Sequence, residues 1–214
     1  MRNYFISGVL IVLILSSCLT ILQPLIRPDN IITDNHIEGQ WSVADSKPIL
    51  VQKFMNSKFK NVFTDPEMKD WKYTREDSIF ITKAYVVSFR ENELDYTWMA
   101  GLVKIRDQYY LNLLPEECLD KKGEKAYDLG KETSSIAKLE WTNNNTLAIH
   151  FLNGDHIKEI ILDGRARTRY EYDLLFGTFV ITASSLELER FLEKYGSNED
   201  LFRGVDPVIL KRKI

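Results

Sequence analysis

The residues best suited to chemistry are few, because this chain of 214 residues has only two cysteines and three histidines. His150 and His156 flank Asn153-Gly154, a pair typical of a turn, so we expect both histidines on opposing strands. His36 is distant in the sequence, and two ligands without a third make a poor zinc site. Cys118 stands among carboxylates, which disfavour the thiolate that a nucleophile needs. We therefore expect no catalytic residue, no metal ligand and no cofactor.

Serine and carboxylate chemistry has no clearer signal. The sequence has no Gly-x-Ser-x-Gly, no glycine-rich phosphate loop and no His-Glu-x-x-His. Acidic pairs such as Glu91 with Glu93 fall in predicted loops, whereas acid–base catalysis needs an apolar pocket that separates two pKa values. An enzyme is therefore the less favoured class of function.

Three arginines alternate along the chain at Arg165, Arg167 and Arg169. On an extended segment they would project to one side, where they could bind an anionic partner. A solvated basic edge that discourages strand association is the favoured alternative. The whole chain carries a net charge of −3, so we expect no nucleic-acid partner.

The N-terminus carries a targeting signal. No charged residue lies between Arg2 and Arg27, and the apolar run YFISGVLIVLIL extends from Tyr4 to Leu15. A positive start followed by such a run is typical of an export signal. We therefore expect the chain beyond residue 28 to fold outside the cytoplasm.

Leu15-Ser16-Ser17-Cys18 resembles the bacterial lipobox, with a leucine three residues before a cysteine and small residues between them. The resemblance implies a signal peptide over 1–17, lipidation of Cys18 with fatty acyl chains such as palmitate, and a tether over 18–36. The alternative is an uncleaved transmembrane anchor over 4–26, because the apolar character continues to Ile26. Both readings place one domain, 37–214, on the periplasmic or cell-surface side of a membrane.

Short segments rich in β-branched and aromatic residues predict the secondary structure of that domain. The predicted strands are 40–44, 48–54, 79–90, 94–105, 108–114, 135–141, 147–152, 156–162 and 177–182. Turns are expected at 90–93, 106–107, 143–145 and 153–155, and a long loop at 116–133. Ser184 and Glu187 have capping-box spacing, which predicts a helix over 185–195 that packs on the outside of the sheet. Seven to nine antiparallel strands and one helix indicate a barrel or a strongly curved sheet.

Gly39-Gln40-Trp41 looks like the Gly-x-Trp of lipocalins and lipocalin-like bacterial domains, in which the tryptophan plugs one end of the barrel. The order of the later segments, from Tyr85-Val86-Val87 to the C-terminal helix, is similar to uncharacterised bacterial lipoproteins, from which the chain departs at Asn112. The resemblance implies a mainly β fold, an antiparallel lipocalin-like barrel or curved sheet with one C-terminal helix, preceded by a signal or anchor helix. It implies no particular activity.

Function is therefore expected from surfaces rather than from a motif. The leading expectation is a membrane-anchored, non-enzymatic interaction scaffold in the cell envelope, with an envelope protein or polysaccharide as partner. The alternative is a carrier of a small apolar ligand inside the barrel. The residues expected to line that interior are Tyr85, Phe89, Tyr96 and Trp98.

Overall fold

Eight antiparallel strands close into a barrel in the computed structural model, which describes residues 19–43, 48–58, 74–91, 93–119, 133–204 and 206–213. The strands are β1 (Thr20–Ile21), β2 (Ile31–Ile32), β3 (Gly39–Ser42), β4 (Ile49–Lys53), β5 (Tyr85–Glu91), β6 (Leu94–Ile105), β7 (Gln108–Leu119), β8 (Ser135–Asn143), β9 (Thr146–Phe151), β10 (Tyr170–Tyr172), β11 (Phe179–Ile181) and β12 (Val208–Arg212). The α-helices in these ranges are α1 (Arg75–Lys83), α2 (Gly154–Leu162) and α3 (Ser185–Tyr195), and there are short 3-10 helices at Asn35–Ile37, Phe54–Asn56 and Glu199–Leu201.

From β3 to β9 the barrel is a meander in which each strand pairs with the next barrel strand in the sequence, and β12 completes it after the chain has formed β10 and β11 in a second sheet. The strand order of the barrel is β3, β4, β5, β6, β7, β8, β9 and β12, and β12 returns to pair with β3. Arg212 stands opposite Trp41 at that closing seam. The closed eight-stranded antiparallel barrel confirms the predicted barrel over the curved-sheet alternative, and its strand number falls within the predicted seven to nine.

Two of the predicted turns, at 106–107 and 143–145, join neighbouring barrel strands. Arg106 adopts a positive φ of 54° between β6 and β7. Asn143 accepts a hydrogen bond from the backbone N–H of Asn145 through its side chain, which closes the turn between β8 and β9. Asparagine favours such turns because its short side chain bonds the backbone two residues on.

The barrel wall buries side chains on both faces. Leu102 and Leu111 point into the barrel, where they join a cluster around Trp41, whereas Val103 and Tyr110 belong to a second cluster outside the wall. Successive residues of a strand point to opposite faces, so this alternation assigns each residue to one core. We call the two clusters the inner core and the outer core.

A layer of short elements covers the outer face of β6, β7 and β8. It contains α2, α3 and a second sheet in which β11 pairs antiparallel with β10 and parallel with β1. Ser184 and Glu187 form the predicted capping box at the start of α3, and Leu188, Phe191 and Leu192 are buried in the outer core. The predicted helix and its external position are therefore confirmed.

The chain between residues 19 and 37 is packed rather than extended away from the barrel. Leu25 and Ile31 are fully buried, and β2 pairs with β6. The buried Asn112 side chain accepts hydrogen bonds from the backbone N–H groups of Leu25, at 2.7 Å, and Ile26, at 3.3 Å. It also donates to the Ser135 carbonyl at 3.1 Å, a bond that an ionised aspartate could not make. The folded unit thus includes the described part of the expected tether.

The strand predicted over 156–162 is wrong, because this segment is the helix α2. The Asn153 side chain accepts from the backbone N–H of His156 and caps the helix instead of forming a hairpin turn. Ile157, Ile160 and Ile161 then fall on one helical face and are buried. The chain therefore has more helices than the one predicted.

Three further boundaries differ from the prediction. Residues 79–83 belong to α1, and β5 begins at Tyr85. Strand β7 continues to Leu119, into the predicted loop, while 120–132 lie outside the described residues. The barrel's last strand is β12, which was not predicted, because the predicted final strand, 177–182, contributes β11 to the second sheet. Residues 1–18, with the signal segment and Cys18, also lie outside the described residues.

Candidate functional site

Trp41 is fully buried on β3, beside the seam where β12 pairs with β3. Its Nε1 donates to the Ile37 carbonyl at 2.9 Å. The Arg212 guanidinium stacks on the indole, with Cζ 4.3 Å from the ring centroid, and donates to the carbonyls of Glu38 and His36. The indole thus lies between β12 and the 3-10 helix Asn35–Ile37 that precedes β3, buried as the Gly-x-Trp resemblance implies.

The barrel interior holds a small apolar cavity of about 60 Å³. Pockets for drug-sized ligands commonly measure about 300 to 1,000 Å³. The cavity is lined by Ile37, Trp41, Ile49, Val51, Val87, Phe89, Leu111, Leu113, Leu147, Ile149, Phe151, Val208 and Leu210. Side chains fill most of the interior, so its volume gives little support to a carrier function.

The four aromatic residues expected to line a ligand site belong to the inner core, but only Phe89 borders the cavity. Phe89 and Tyr96 stack on each other with ring centroids 5.1 Å apart. The Tyr85 hydroxyl bonds the backbone of Asp34, and burial is the main reason that its pKa is raised. Trp98 is 8% exposed. These side chains form packing contacts with one another and with the chain around them.

The three alternating arginines do not act as one row. Arg165 forms ion pairs with Glu159, at 2.6 Å, and Asp163, at 2.9 Å, beside the end of α2. Arg167 and Arg169 line a different surface, between the segment 167–169 and α3. The chain curves here, so the alternation visible in the sequence does not become a common face.

Arg167 and Arg169 join two cations from α3, Arg190 and Lys194, around an open cleft of about 390 Å³. We call this surface the basic cleft. Glu187 supplies the single carboxylate among the residues that line it, and pairs with Arg169 at 2.8 Å. Hydrogen bonds from the Ser184 backbone and hydroxyl, followed by Arg169, lower the pKa of Glu187. Four cations against one carboxylate make the cleft suited to an anion.

Sequence reasoning missed half of the basic cleft. Arg190 and Lys194 lie four residues apart on α3, so both fall on one side of the helix. Their spacing was visible in the sequence. What was missing was the packing of α3 beside Arg167 and Arg169, which depends on the outer core.

The histidines are separated by the fold. His150 on β9 lies 3.3 Å from a carboxylate oxygen of Glu140, whereas His156 lies on α2, 3.6 Å from Glu159. The expectation that they face each other across a hairpin is wrong, because α2 replaces the second strand. Among the described residues, no group of three or more metal-ligating side chains converges.

The turn between β10 and β11 presents three large apolar side chains to solvent. Leu174, Leu175 and Phe176 are 82%, 90% and 82% exposed. Asp173 holds the turn in place, because its Oδ1 accepts from the backbone N–H groups of Leu175, at 2.8 Å, and Phe176, at 3.2 Å. We call residues 173–178 the apolar hairpin tip. The run Asp-Leu-Leu-Phe-Gly-Thr was a readable signal that sequence reasoning left unused.

Comparison with protein-family models, with curated proteins and with solved structures finds no match for this chain. Across the described part of the chain, no helix combines the length and apolar character that crossing a bilayer requires.

Proposed function

We propose that this protein is a lipocalin-like bacterial lipoprotein, anchored through Cys18 on the outside of a membrane, and that it acts as a non-enzymatic scaffold for an anionic component of the cell envelope. The sequence support is the apolar run before Cys18 and the lipobox-like Leu15-Ser16-Ser17-Cys18. The fold support is the eight-stranded barrel with a buried tryptophan at its closing seam.

The basic cleft is the observation that carries the choice of an anionic partner. Arg190 and Lys194 are exposed on α3, and Arg167 is exposed on the facing segment. None of the three is held in an ion pair with a described carboxylate, so their charge is available to a ligand. The small cavity inside the barrel supports an external surface over the interior as the place of binding.

The polysaccharide expectation can be tested with a soluble polyanion. We expect the full chain to bind polygalacturonate oligomers and to ignore neutral dextran, because carboxylates pair with arginine forks. Arg190→Ala and Lys194→Ala should each weaken binding by roughly tenfold, since a hydrogen bond to a charged group contributes about 1.5 to 3 kcal/mol. Affinity should also fall as salt rises. Fluorescence anisotropy with a labelled oligomer measures these changes.

Two matched variants separate the basic cleft from surface charge in general. Arg165→Ala removes a member of the sequence-predicted row that lies outside the cleft, and Arg203→Ala removes a distant exposed arginine. Both should bind as the unaltered chain does. Equal losses in the control and cleft variants, or binding that survives the loss of both Arg190 and Lys194, would contradict the proposed partner surface.

A further inference from the structure

The apolar hairpin tip is ordered and has no covering element among the described residues. Its three apolar side chains are each more than four-fifths exposed. The backbone is fixed by Asp173, whose N–H also donates to the Thr178 carbonyl at 2.9 Å across the turn. Exposure of large apolar side chains to water is unfavourable in free energy. Clusters of such side chains on a protein surface often mark interaction sites.

The pairing of β1 shows which end of the second sheet receives the N-terminal chain. Thr20 is in register with Val180 and Ile21 with Ile181, and the two strands run parallel. Strand β11 leads away from the tip, so β1 also begins at the tip end. Leu19, the first described residue, therefore lies on the tip side of β1. The chain that carries the proposed anchor thus joins the folded unit at the end of the second sheet that bears the tip, since successive Cα atoms are only about 3.8 Å apart.

Aromatic and basic side chains lie next to the apolar hairpin tip. Tyr172 and Tyr170 pack around Phe179, with centroid distances of 6.2 and 5.2 Å. The Lys158 Nζ lies 4.3 Å from the centroid of the Tyr172 ring. Tyrosine and lysine beside an apolar tip suit the boundary between hydrocarbon and headgroups, because each has an apolar part and a polar end that can stay in water.

We propose that the apolar hairpin tip inserts Leu174, Leu175 and Phe176 into the membrane leaflet that holds the N-terminal anchor. This inference rests on the proposed membrane anchor at Cys18. The anchor and the tip then form two attachment points at one end of the second sheet. Together they fix the orientation of the barrel instead of leaving it on a tether.

A lipid leaflet fits this surface better than a protein does. A stable protein interface buries about 800 Å² on each partner, which a tip of three side chains does not supply. A lipid leaflet needs no shape complementarity to the tip, and the proposed N-terminal anchor would hold the tip close to that leaflet. The turn also has its backbone donors at Leu175 and Phe176 satisfied by Asp173, which lowers the cost of leaving water.

The test uses the full anchored chain in vesicles of phosphatidylethanolamine and phosphatidylglycerol. A fluorescent amino acid that senses polarity, a prodan-bearing alanine, replaces Leu175 in one variant and Asn144 in the other. Asn144 is exposed at the tip of the polar turn between β8 and β9, so it provides a matched hairpin. We expect a blue shift at position 175, quenching by nitroxide lipids and loss of iodide quenching. Position 144 should show none of these.

Flotation of the vesicles separates the two proposals. Chains that float with lipid while position 175 remains as open to iodide as position 144 overturn the insertion and leave the anchor standing. Chains that do not float overturn the anchor and the insertion together. A blue shift that grows with protein-to-lipid ratio, without nitroxide quenching, assigns the tip to a second copy of the chain and overturns the lipid proposal.

Discussion

The position of Arg212 explains why glycine and tryptophan occupy the first and third places of Gly39-Gln40-Trp41. Trp41 lies beneath the guanidinium, and Gly39 adopts a φ of +131°, where side chains are rarely tolerated. A Cβ on Gly39 would lie 2.6 Å from Nη1 of Arg212. The glycine therefore makes room for the cation that covers the tryptophan.

Trp41→Ala should destabilise the barrel by about 3 to 5 kcal/mol, because the substitution leaves a cavity and removes the surface on which Arg212 stacks. Urea unfolding followed by circular dichroism measures the change. Trp141→Ala is a suitable control, since Trp141 is partly exposed and its ring centroid lies 5.9 Å from that of Trp41. We expect it to cost less. Equal midpoints for the Trp41 variant and the unaltered chain would make the tryptophan peripheral.

Residue identity and the lipocalin resemblance predicted a buried tryptophan close to a basic side chain from a late strand, but they did not identify that side chain as Arg212. Gly39 and Trp41 lie two residues apart in the sequence, whereas Arg212 belongs to β12, far along the chain. The aromatic residues Tyr85, Tyr96 and Trp98 were correctly placed on an inward face, but whether that face encloses a cavity depends on how the opposite strands fill it. Local sequence does not contain that information.

At the scale of elements, the end of α3 is set by its contact with the barrel wall. Gly196 follows the helix with a φ of −63°, a conformation open to any residue. Glycine is favoured at this position because there is no room for a side chain. A Cβ would collide with the Tyr110 hydroxyl and lie 2.5 Å from the Leu192 carbonyl oxygen. That hydroxyl donates to Gln108 at 2.5 Å, and burial raises the pKa of Tyr110 to about 12.

Gly196→Ala should cost about 1 to 3 kcal/mol through overpacking. Tyr110→Phe removes the hydroxyl oxygen, which is the nearest obstructing atom. Gly196→Ala should therefore cost less free energy of unfolding in the Tyr110→Phe chain than in the unaltered chain. Urea unfolding of the four chains gives the coupling energy. Additive effects would mean that α3 shifts away from Tyr110 and that the contact does not set the helix end.

Element prediction succeeded where one local rule applied and failed where two competed. The capping box before α3 and the Asn143-Asn144-Asn145 turn each allow one reading. Asn153-Gly154 suits a hairpin turn and a helix cap equally, and only the burial of Ile157, Ile160 and Ile161 selects the helix. Strand β12 has five residues, and its place is decided by closure with β3 and β9.

At the scale of the molecule, the inner and outer cores share one wall. The barrel buries its own interior, while Leu19, Ile21, Leu25 and Ile26 bring the N-terminal chain into the outer core. A membrane anchor at Cys18 would therefore be joined to the folded unit by a single peptide bond. Motion of the domain about such an anchor would be limited by the fold itself.

The proposed lipid anchor predicts that Cys18→Ala abolishes acylation and blocks lipoprotein-specific processing, because the cysteine of a lipobox is both the modified residue and the marker of the cleavage site. Metabolic labelling with palmitate and mass analysis of the mature N-terminus measure both effects. Cys118→Ala provides the matched control and should leave the lipid label in place. Unchanged mobility and label in the Cys18 variant would favour an uncleaved transmembrane anchor.

The closing seam between β3 and β12 also governs when the barrel can form during synthesis. Residues 41 and 212 pair across nearly the whole chain, so a nascent or truncated chain lacking its last residues exposes the edges of β3 and β9. Open edges offer unpaired backbone groups to other strands, and distant pairing slows folding. Removing β12 should therefore give a chain that aggregates during folding. The full chain avoids this aggregation only once β12 has paired with β3 and β9.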